Sequence, residues 1–247
     1  MKGRFLDAVL AAARDHRSVA LATELKSGHQ LLLQPAPAEA GGDRAEGDLA
    51  LDETAIAAIR EALRADRNRT FDTAAGRVFV EVFSPPRRCF VVGAVHIAQP
   101  LVQMLSLADY QPIVIDPRQS FATEARFPGL ELSTEWPDEA LEGLQPDHRS
   151  AVVTLTHDPK LDDPALAVAL RSECFYIGAL GSRRTHAARC QRLTEMGFTE
   201  VELGRIHGPI GLSIGAVSPA EIAVSILGQM TEVLRRGDKP EGKAEAA

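Results

Sequence analysis

After Pro85-Pro86 the chain settles into a regular alternation of short apolar runs and helical patterns, and this constrains the fold more than any other feature. Cys89 to Val92 is a continuous apolar run with β-branched members, as expected of a strand buried on both faces of a parallel sheet. Pro112 to Asp116 (PIVID), Ala151 to Thr156 (AVVTLT) and Phe175 to Leu180 (FYIGAL) repeat the signal. Ile97, Leu101, Leu105 and Ala108 mark one helix face between them. Asp163-Pro164 predicts a helix with a cap and an N1 proline, and Gly181-Ser182 predicts another that stops at Gly197. Ser218, Pro219 and Glu221 form a capping box ahead of Ile222, Ile226, Leu227, Met230 and Leu234. Such alternation over short connections predicts an α/β fold, a Rossmann-like doubly wound parallel sheet with right-handed crossovers. Ligands of such sheets bind at the carboxyl ends of the strands, near the point where the strand order reverses.

The first 85 residues follow another grammar and predict a smaller N-terminal α+β domain, with residues 86–247 as the Rossmann-like one. Phe5, Leu6, Val9, Leu10 and Ala13 make an apolar helical stripe that must dock on something. Residues 18–34 read as a hairpin around Lys26-Ser27-Gly28-His29, and residues 35–48, rich in Pro, Ala, Gly and charge, as an exposed mobile loop. Asp52 can cap a helix over about residues 53–66, and Arg77 to Phe83 reads as a strand after a turn at Ala75-Gly76. Pro85-Pro86 ends that strand because neither proline offers a ladder N–H. The tail from about residue 237 is expected to be disordered.

Composition narrows the partners. A formal net charge of −7 leaves no basic field for nucleic acid or anionic lipid. Cys89, Cys174 and Cys190 are far apart and odd in number, which argues against a disulfide framework or zinc cluster and for a reducing cytoplasm. No run approaches the length of a membrane span, and the charged N-terminal pattern reads as an amphipathic helix, not a signal peptide. The apolar stripes on the first and last helices would serve a homodimer or core packing equally well.

Four loops fall at the carboxyl edge. In the first, Gly93 suits the tight strand-to-helix turn and Ala98 replaces the third glycine of G-x-G-x-x-G. Val95 stands where the second glycine lets backbone touch a pyrophosphate, and His96 faces the same approach. Asp116, 23 residues after Gly93, is placed to hold a ribose hydroxyl. The loop therefore fits either a nicotinamide dinucleotide or the same fold with a different ligand. Thr156-His157-Asp158 ends the third strand, with His157 poised for ligand or proton work and Asp158 open to a plain capping role. In the third loop Gly181, Ser182, Arg183 and Arg184 combine free helix N–H groups with two guanidinium groups, an anion cradle unless the arginines are a solvated pair. Arginine in a first helical turn opposes the dipole unless an anion is present. The fourth, Ile206 to Ala216, is punctuated by glycines that act either as packing hinges or as a closing flap. His207 in it could join His96, His157 and Asp158 around one cavity or a metal, although the spacing matches no known metal signature.

GAVHIAQ, VIDPRQSFATEARFP, THDPKLDDPAL, YIGALGSRRTHAARCQRL and IHGPIGLSIGAVSPAEIAVSIL, taken in order, resemble the XdhC/CoxI family of xanthine dehydrogenase accessory proteins, the maturation factors of molybdenum hydroxylases. The resemblance covers about residues 77 to 236. It implies a Rossmann-like C-terminal domain and a carrier role: binding the molybdenum cofactor, a molybdopterin with a monophosphate or dinucleotide tail, while a cysteine desulfurase installs a sulfur, then delivering it to the apo-hydroxylase. Carried over, the family's loops fall on Gly93 to Ala98, Thr156 to Asp158, Gly181 to Arg184 and Ile206 to Gly211. The N-terminal part departs from the pattern, since no cysteine precedes Cys89 where many relatives carry a Gly-Gly-Cys element. An NAD(P)-dependent oxidoreductase with His157 as acid/base, and a scaffold with a vestigial pocket, are the competing functions.

Overall fold

The computed structural model describes residues 3–35 and 42–236, with the side chain of Arg4 left aside. The expectation for the tail from 237, and part of that for the 35–48 loop, lies outside the described residues. The chain divides into two compact units, Met1–Pro85 and Pro86–Ala247.

The first unit is a five-stranded sheet in the order β3-β2-β1-β5-β4, with every neighbouring pair antiparallel. β1 (Val19–Glu24) and β2 (Gln30–Gln34) form the expected hairpin, and the Glu24 carboxylate closes its turn by accepting from the Lys26 and Ser27 N–H groups. Alternation along β1 sends Val19 and Leu21 to α1 (Gly3–Arg14) and Ala20 and Ala22 to α2 (Glu53–Ala65), so each face of the sheet is covered by one helix. The buried line of α1 is Phe5, Val9 and Ala12, whereas Leu6, Leu10 and Ala13 are exposed, because a helix meets a sheet along a stripe narrower than its apolar pattern. Asp52 caps α2 by accepting from Ala55 N–H at 2.8 Å. The predicted 35–48 loop contains β3 (Arg44–Gly47), paired to β2 from Leu31↔Gly47 to Gln34↔Arg44. Its composition carries no strand signal; the ladder of β2 supplies the order. β4 (Arg69–Thr73), before β5 (Gly76–Phe83), is likewise hidden in the sequence by its exposed polar residues.

The second unit is a six-stranded parallel sheet in the order β11-β10-β9-β6-β7-β8. The chain enters at the centre with β6 (Arg87–Val92), moves outward through β7 (Tyr110–Ile115) and β8 (Glu131–Ser133), and returns to the other side for β9 (Ser150–Thr154), β10 (Tyr176–Ala179) and β11 (Ile206–His207). The order reverses between β6 and β9. Cys89 and Val91 pack with α3 (Ala98–Leu107) and α8 (Pro219–Arg236) on one face, while Phe90 and Val92 pack with α4 (Pro137–Leu144), α5 (Pro159–Arg171) and α6 (Arg183–Glu195) on the other. The short α7 (Glu200–Leu203) completes this layer. The capping box ahead of α8 forms as predicted, with Ser218 N–H donating to Glu221 at 2.8 Å and Glu221 N–H to Ser218 at 3.3 Å.

One helix start differs from expectation. α5 begins at Pro159 with Asp158 as its cap, and Asp162, Asp163 and Pro164 lie inside it. The carbonyl that Pro164 leaves without an N–H partner belongs to exposed Lys160, so the interruption meets water. Asp162 and Asp163 are freed for ion pairs with α6. Among the described residues no helix is long and apolar enough to cross a membrane.

Candidate functional site at the carboxyl edge

The reversal of strand order places the loop after β6 against the loop after β9. Gly93, at φ +108°, sits so close to Thr156 that a Cβ would lie 2.6 Å from its Cγ2 and 3.3 Å from its backbone N. Only glycine tolerates both the conformation and the approach. The next residue is clamped from two sides: Ala94 N–H donates to Asp116 Oδ2 at 2.8 Å, and Ala94 C=O accepts from Arg126 Nη1 at 2.7 Å. Val95 is half-buried and packs on the α3/α8 core, so its bulk is turned into the protein and not across the phosphate approach expected for it. His96 is exposed at the turn. α3 then starts without a side-chain cap, and the N–H groups of Val95, His96 and Ile97 have no acceptor among the described residues.

Asp116 has a different task from the ribose contact expected of it. The residue is fully buried and accepts from Ala94 N–H, from Arg118 N–H at 3.0 Å, and from Arg118 Nε and Nη2 at 2.9 and 2.7 Å. Burial alone would raise its pKa; the bonds from Arg118 and Ala94 outweigh that and hold it below the ordinary carboxylate value. The carboxylate is thus spent on fixing the first loop and Arg118.

The loop after β9 presents an exposed His157 in the left-handed region at φ +63°. That conformation is uncommon outside glycine and is held here from both sides. Thr156 donates to Asp162 Oδ1 at 2.7 Å, and Asp158 caps α5 by accepting from Lys160 N–H at 3.0 Å. The bland reading of Asp158 as a helix cap is therefore realised in its geometry.

On the β10 side, Ser182 caps α6 by accepting from Thr185 N–H at 3.1 Å, after Gly181 at φ +141°. Arg183 and Arg184 are exposed in the first turn, with no ion pair or hydrogen bond among the described residues. Beneath them Arg189 is 2% exposed and donates Nη2 to Leu180 C=O at 2.9 Å, with Asp162 Oδ2 at 3.5 Å. Nε and Nη1 of Arg189, Asp162 Oδ2 and Thr154 Oγ1 are buried without a hydrogen-bond partner among the described residues. Burial pushes the Asp162 carboxyl up, and Thr156 and Arg189 only partly offset it. This under-satisfied network ties the β9 loop to the β10 loop.

His207 is placed apart from these groups. Its ring stacks on Tyr176 at 4.8 Å and 10° on the sheet face toward α8, and burial lowers its pKa. Tyr176 donates to Gln229, which also accepts from Gly211 N–H at 2.8 Å and so pins the glycine-rich loop to α8. Among the described residues no group of three or more His, Cys, Asp or Glu side chains could hold a metal, so the three-histidine cluster is not assembled. The residues missed from sequence are Arg118, Phe121 and Arg126, all within VIDPRQSFATEARFP, where basic residues flanking an aromatic directly after a strand end were the available signal.

Residues 89–230, which contain all of these loops, match the family profile described as the XdhC Rossmann domain. The chain belongs to the XdhC family. Among curated relatives of this XdhC chain, it is 38% identical over 89 residues to the molybdenum cofactor insertion chaperone PaoD of Escherichia coli, covering 36% of this chain and 28% of that protein. It is 29% identical over 160 residues to a probable xanthine dehydrogenase subunit of Bacillus subtilis, covering 64% and 46%. The matched stretches thus span less than half the length of these relatives. A crystal structure of a Bacillus halodurans protein described as a xanthine dehydrogenase shares the fold, with a TM-score of 0.70 at 24% identity over 94% of this chain and 67% of that one.

Proposed function

We propose that the XdhC domain binds the molybdenum cofactor as cargo at its carboxyl edge and serves the maturation of a xanthine dehydrogenase-type hydroxylase. The observation that carries this reading is the pair Arg183 and Arg184 in the first turn of α6, cations at the positive end of a helix with no ion-pair partner among the described residues. They fit the phosphate of a molybdopterin or of its dinucleotide form, as do the uncapped N–H groups opening α3. The name of the Escherichia coli relative supports a role in cofactor insertion, and that of the Bacillus subtilis relative an association with xanthine dehydrogenase. Gly181 and Ser182 shape the cradle, His96 and exposed His157 flank the crevice, and Asp116 acts at one remove by fixing the loop that carries Val95 and His96. Within this reading the chain holds the cofactor in the cytoplasm while a cysteine desulfurase supplies the terminal sulfur, then passes it to the apo-hydroxylase. An NAD(P)-dependent oxidoreductase is disfavoured, because the acidic residue that would hold ribose already accepts four hydrogen bonds from Ala94 and Arg118.

Protein purified from cells that make the cofactor tests this by fluorescence and mass analysis of the ligand released on denaturation. A pterin is expected, and Arg183→Ala with Arg184→Ala is expected to lower its occupancy at least about tenfold, two charge-assisted contacts being lost. Release of a nicotinamide, or full pterin occupancy in the double variant, would sink the assignment.

A further inference from the structure

The segment between β7 and β8 carries a surface that the proposed phosphate contacts do not use. Arg118 leaves β7 with its guanidinium edge committed to Asp116 through Nε and Nη2. Its Cζ lies over the Phe121 ring, 4.4 Å from the centroid, close enough for a cation–π contact on that side. Arg126 braces the same ring at 5.8 Å and donates to Phe121 C=O at 2.8 Å, so the platform is fixed from below. The Arg118 side chain is nevertheless 38% exposed. With the forked edge and the inner face taken, what it shows to the crevice is Nη1 and its second flat face. Asp116 first, then Asp158 and Asp162 from the β9 side, hold its pKa above the ordinary arginine value, so the group lies in the field of both strand ends.

An arginine held in this way is a poor oxyanion clamp. The Nε and Nη2 donors that would grip two phosphate oxygens are occupied, and the buried carboxylate offsets the charge. A planar, rigid and weakly hydrated cation is left, which suits an aromatic ring. Its position agrees: in doubly wound sheets the end of the second strand serves the nucleoside part of a ligand whose phosphates sit at the first helix. We propose that Arg118, braced by Asp116 and Phe121, is a stacking platform for the planar nitrogen heterocycle of the ligand. Two parts of the proposed cargo carry such a ring, the pterin and the base of a nucleotide tail. The inference rests on reading this crevice as the cofactor site, but its test needs no molybdenum.

The ligand-free full chain is titrated with neopterin, followed by fluorescence quenching, and with GMP and inorganic pyrophosphate, followed by calorimetry. Arg118→Lys keeps a cation on Asp116 but removes the flat face, and Arg118→Gln, which leaves Asp116 and its bond from Ala94 N–H in place, serves should the lysine variant fold poorly. Each is expected to weaken one ring probe about tenfold while pyrophosphate binding is unchanged. Loss of neopterin places the pterin on Arg118; loss of GMP places the base there. Unchanged binding of both rings, loss of pyrophosphate in step with the rings, or a parent protein that binds neither ring overturns the proposal. Pterin release from co-expressed protein would still stand in each of those cases, so the two readings fail separately.

Discussion

The two edges of the parallel sheet use arginine in opposite ways. At the amino edge, Arg88 donates to the carbonyls of Leu144 and Gln145 at the end of α4, and Arg205 donates to those of Leu170, Ser172 and Cys174 at the end of α5. These cations satisfy orphan carbonyls and agree with the helix dipoles. At the carboxyl edge, Arg183 and Arg184 stand at the start of a helix with no partner among the described residues, and buried Arg189 has two nitrogens without acceptors. At the amino edge these arginines are consumed by the chain; at the carboxyl edge Arg118 and Arg126 are consumed too, but Arg183 and Arg184 are left over. Surplus donors of one sign, at the edge where doubly wound sheets place their ligands, are the contrast on which the proposed working edge rests.

The largest expected effect breaks the working edge outright. Gly93→Ala adds a Cβ 2.6 Å from Thr156 Cγ2 in a backbone conformation that L residues rarely adopt. Strain and overpacking together should cost about 3 kcal/mol or more, read as a fall in the denaturation midpoint. A midpoint within experimental error of the parent would mean that the two loops are not pressed together.

The next contrast sets the edges against each other. Arg205→Ala removes three hydrogen bonds to carbonyls and should lower stability by about 2 kcal/mol with no effect on bound ligand. Arg183→Ala with Arg184→Ala should leave the ligand-free protein as stable as the parent, or a few tenths of a kcal/mol more so, because cations at a helix N-terminus are relieved. Chemical denaturation of ligand-free protein checks both. Equal losses would erase the distinction between structural and ligand-directed arginines.

Much of this contrast was legible in the sequence, and the remainder was hidden for physical reasons. Apolar runs announced the central strands because burial on both faces demands them, and Ser218, Pro219 and Glu221 announced α8 because capping is local chemistry. β8 and β11, three and two residues long, announced nothing, since an edge strand borrows its order from a neighbour. Arg183 and Arg184 were visible because their position in the helix is itself the anomaly. Asp116 was legible as important but not in its role: what it binds depends on Arg118, two residues on, folding back across it. His207 pointed to a face and not to the edge because a two-residue strand sets its direction, and no local pattern reveals that strand.

The smallest expected effect separates two carboxylates of the working edge by the sign of their pH dependence. Asp162 has its pKa raised, chiefly by burial, so the folded state favours its protonated form. Its contribution to stability is therefore full below the ordinary value of 3.8 and is lost as pH rises through the raised folded value. Asp116 has its pKa lowered on balance, so its contribution is present above 3.8 and is lost as pH falls through the depressed folded value. Titrating from neutral toward acid, the protein should first gain a little from Asp162 and then lose more steeply as Asp116 takes up its proton and releases Ala94 and Arg118. Asp162→Asn should remove the early gain and leave the later fall in place, whatever it does to absolute stability. At the amino edge Thr199 and, less strongly, Arg205 hold the Glu202 carboxyl below its ordinary value, so the loss from Arg205→Ala should shrink as pH falls and Glu202 takes up its proton. A loss that stays constant across the acid limb would show that Arg205 acts on the carbonyls at the end of α5 and not on Glu202.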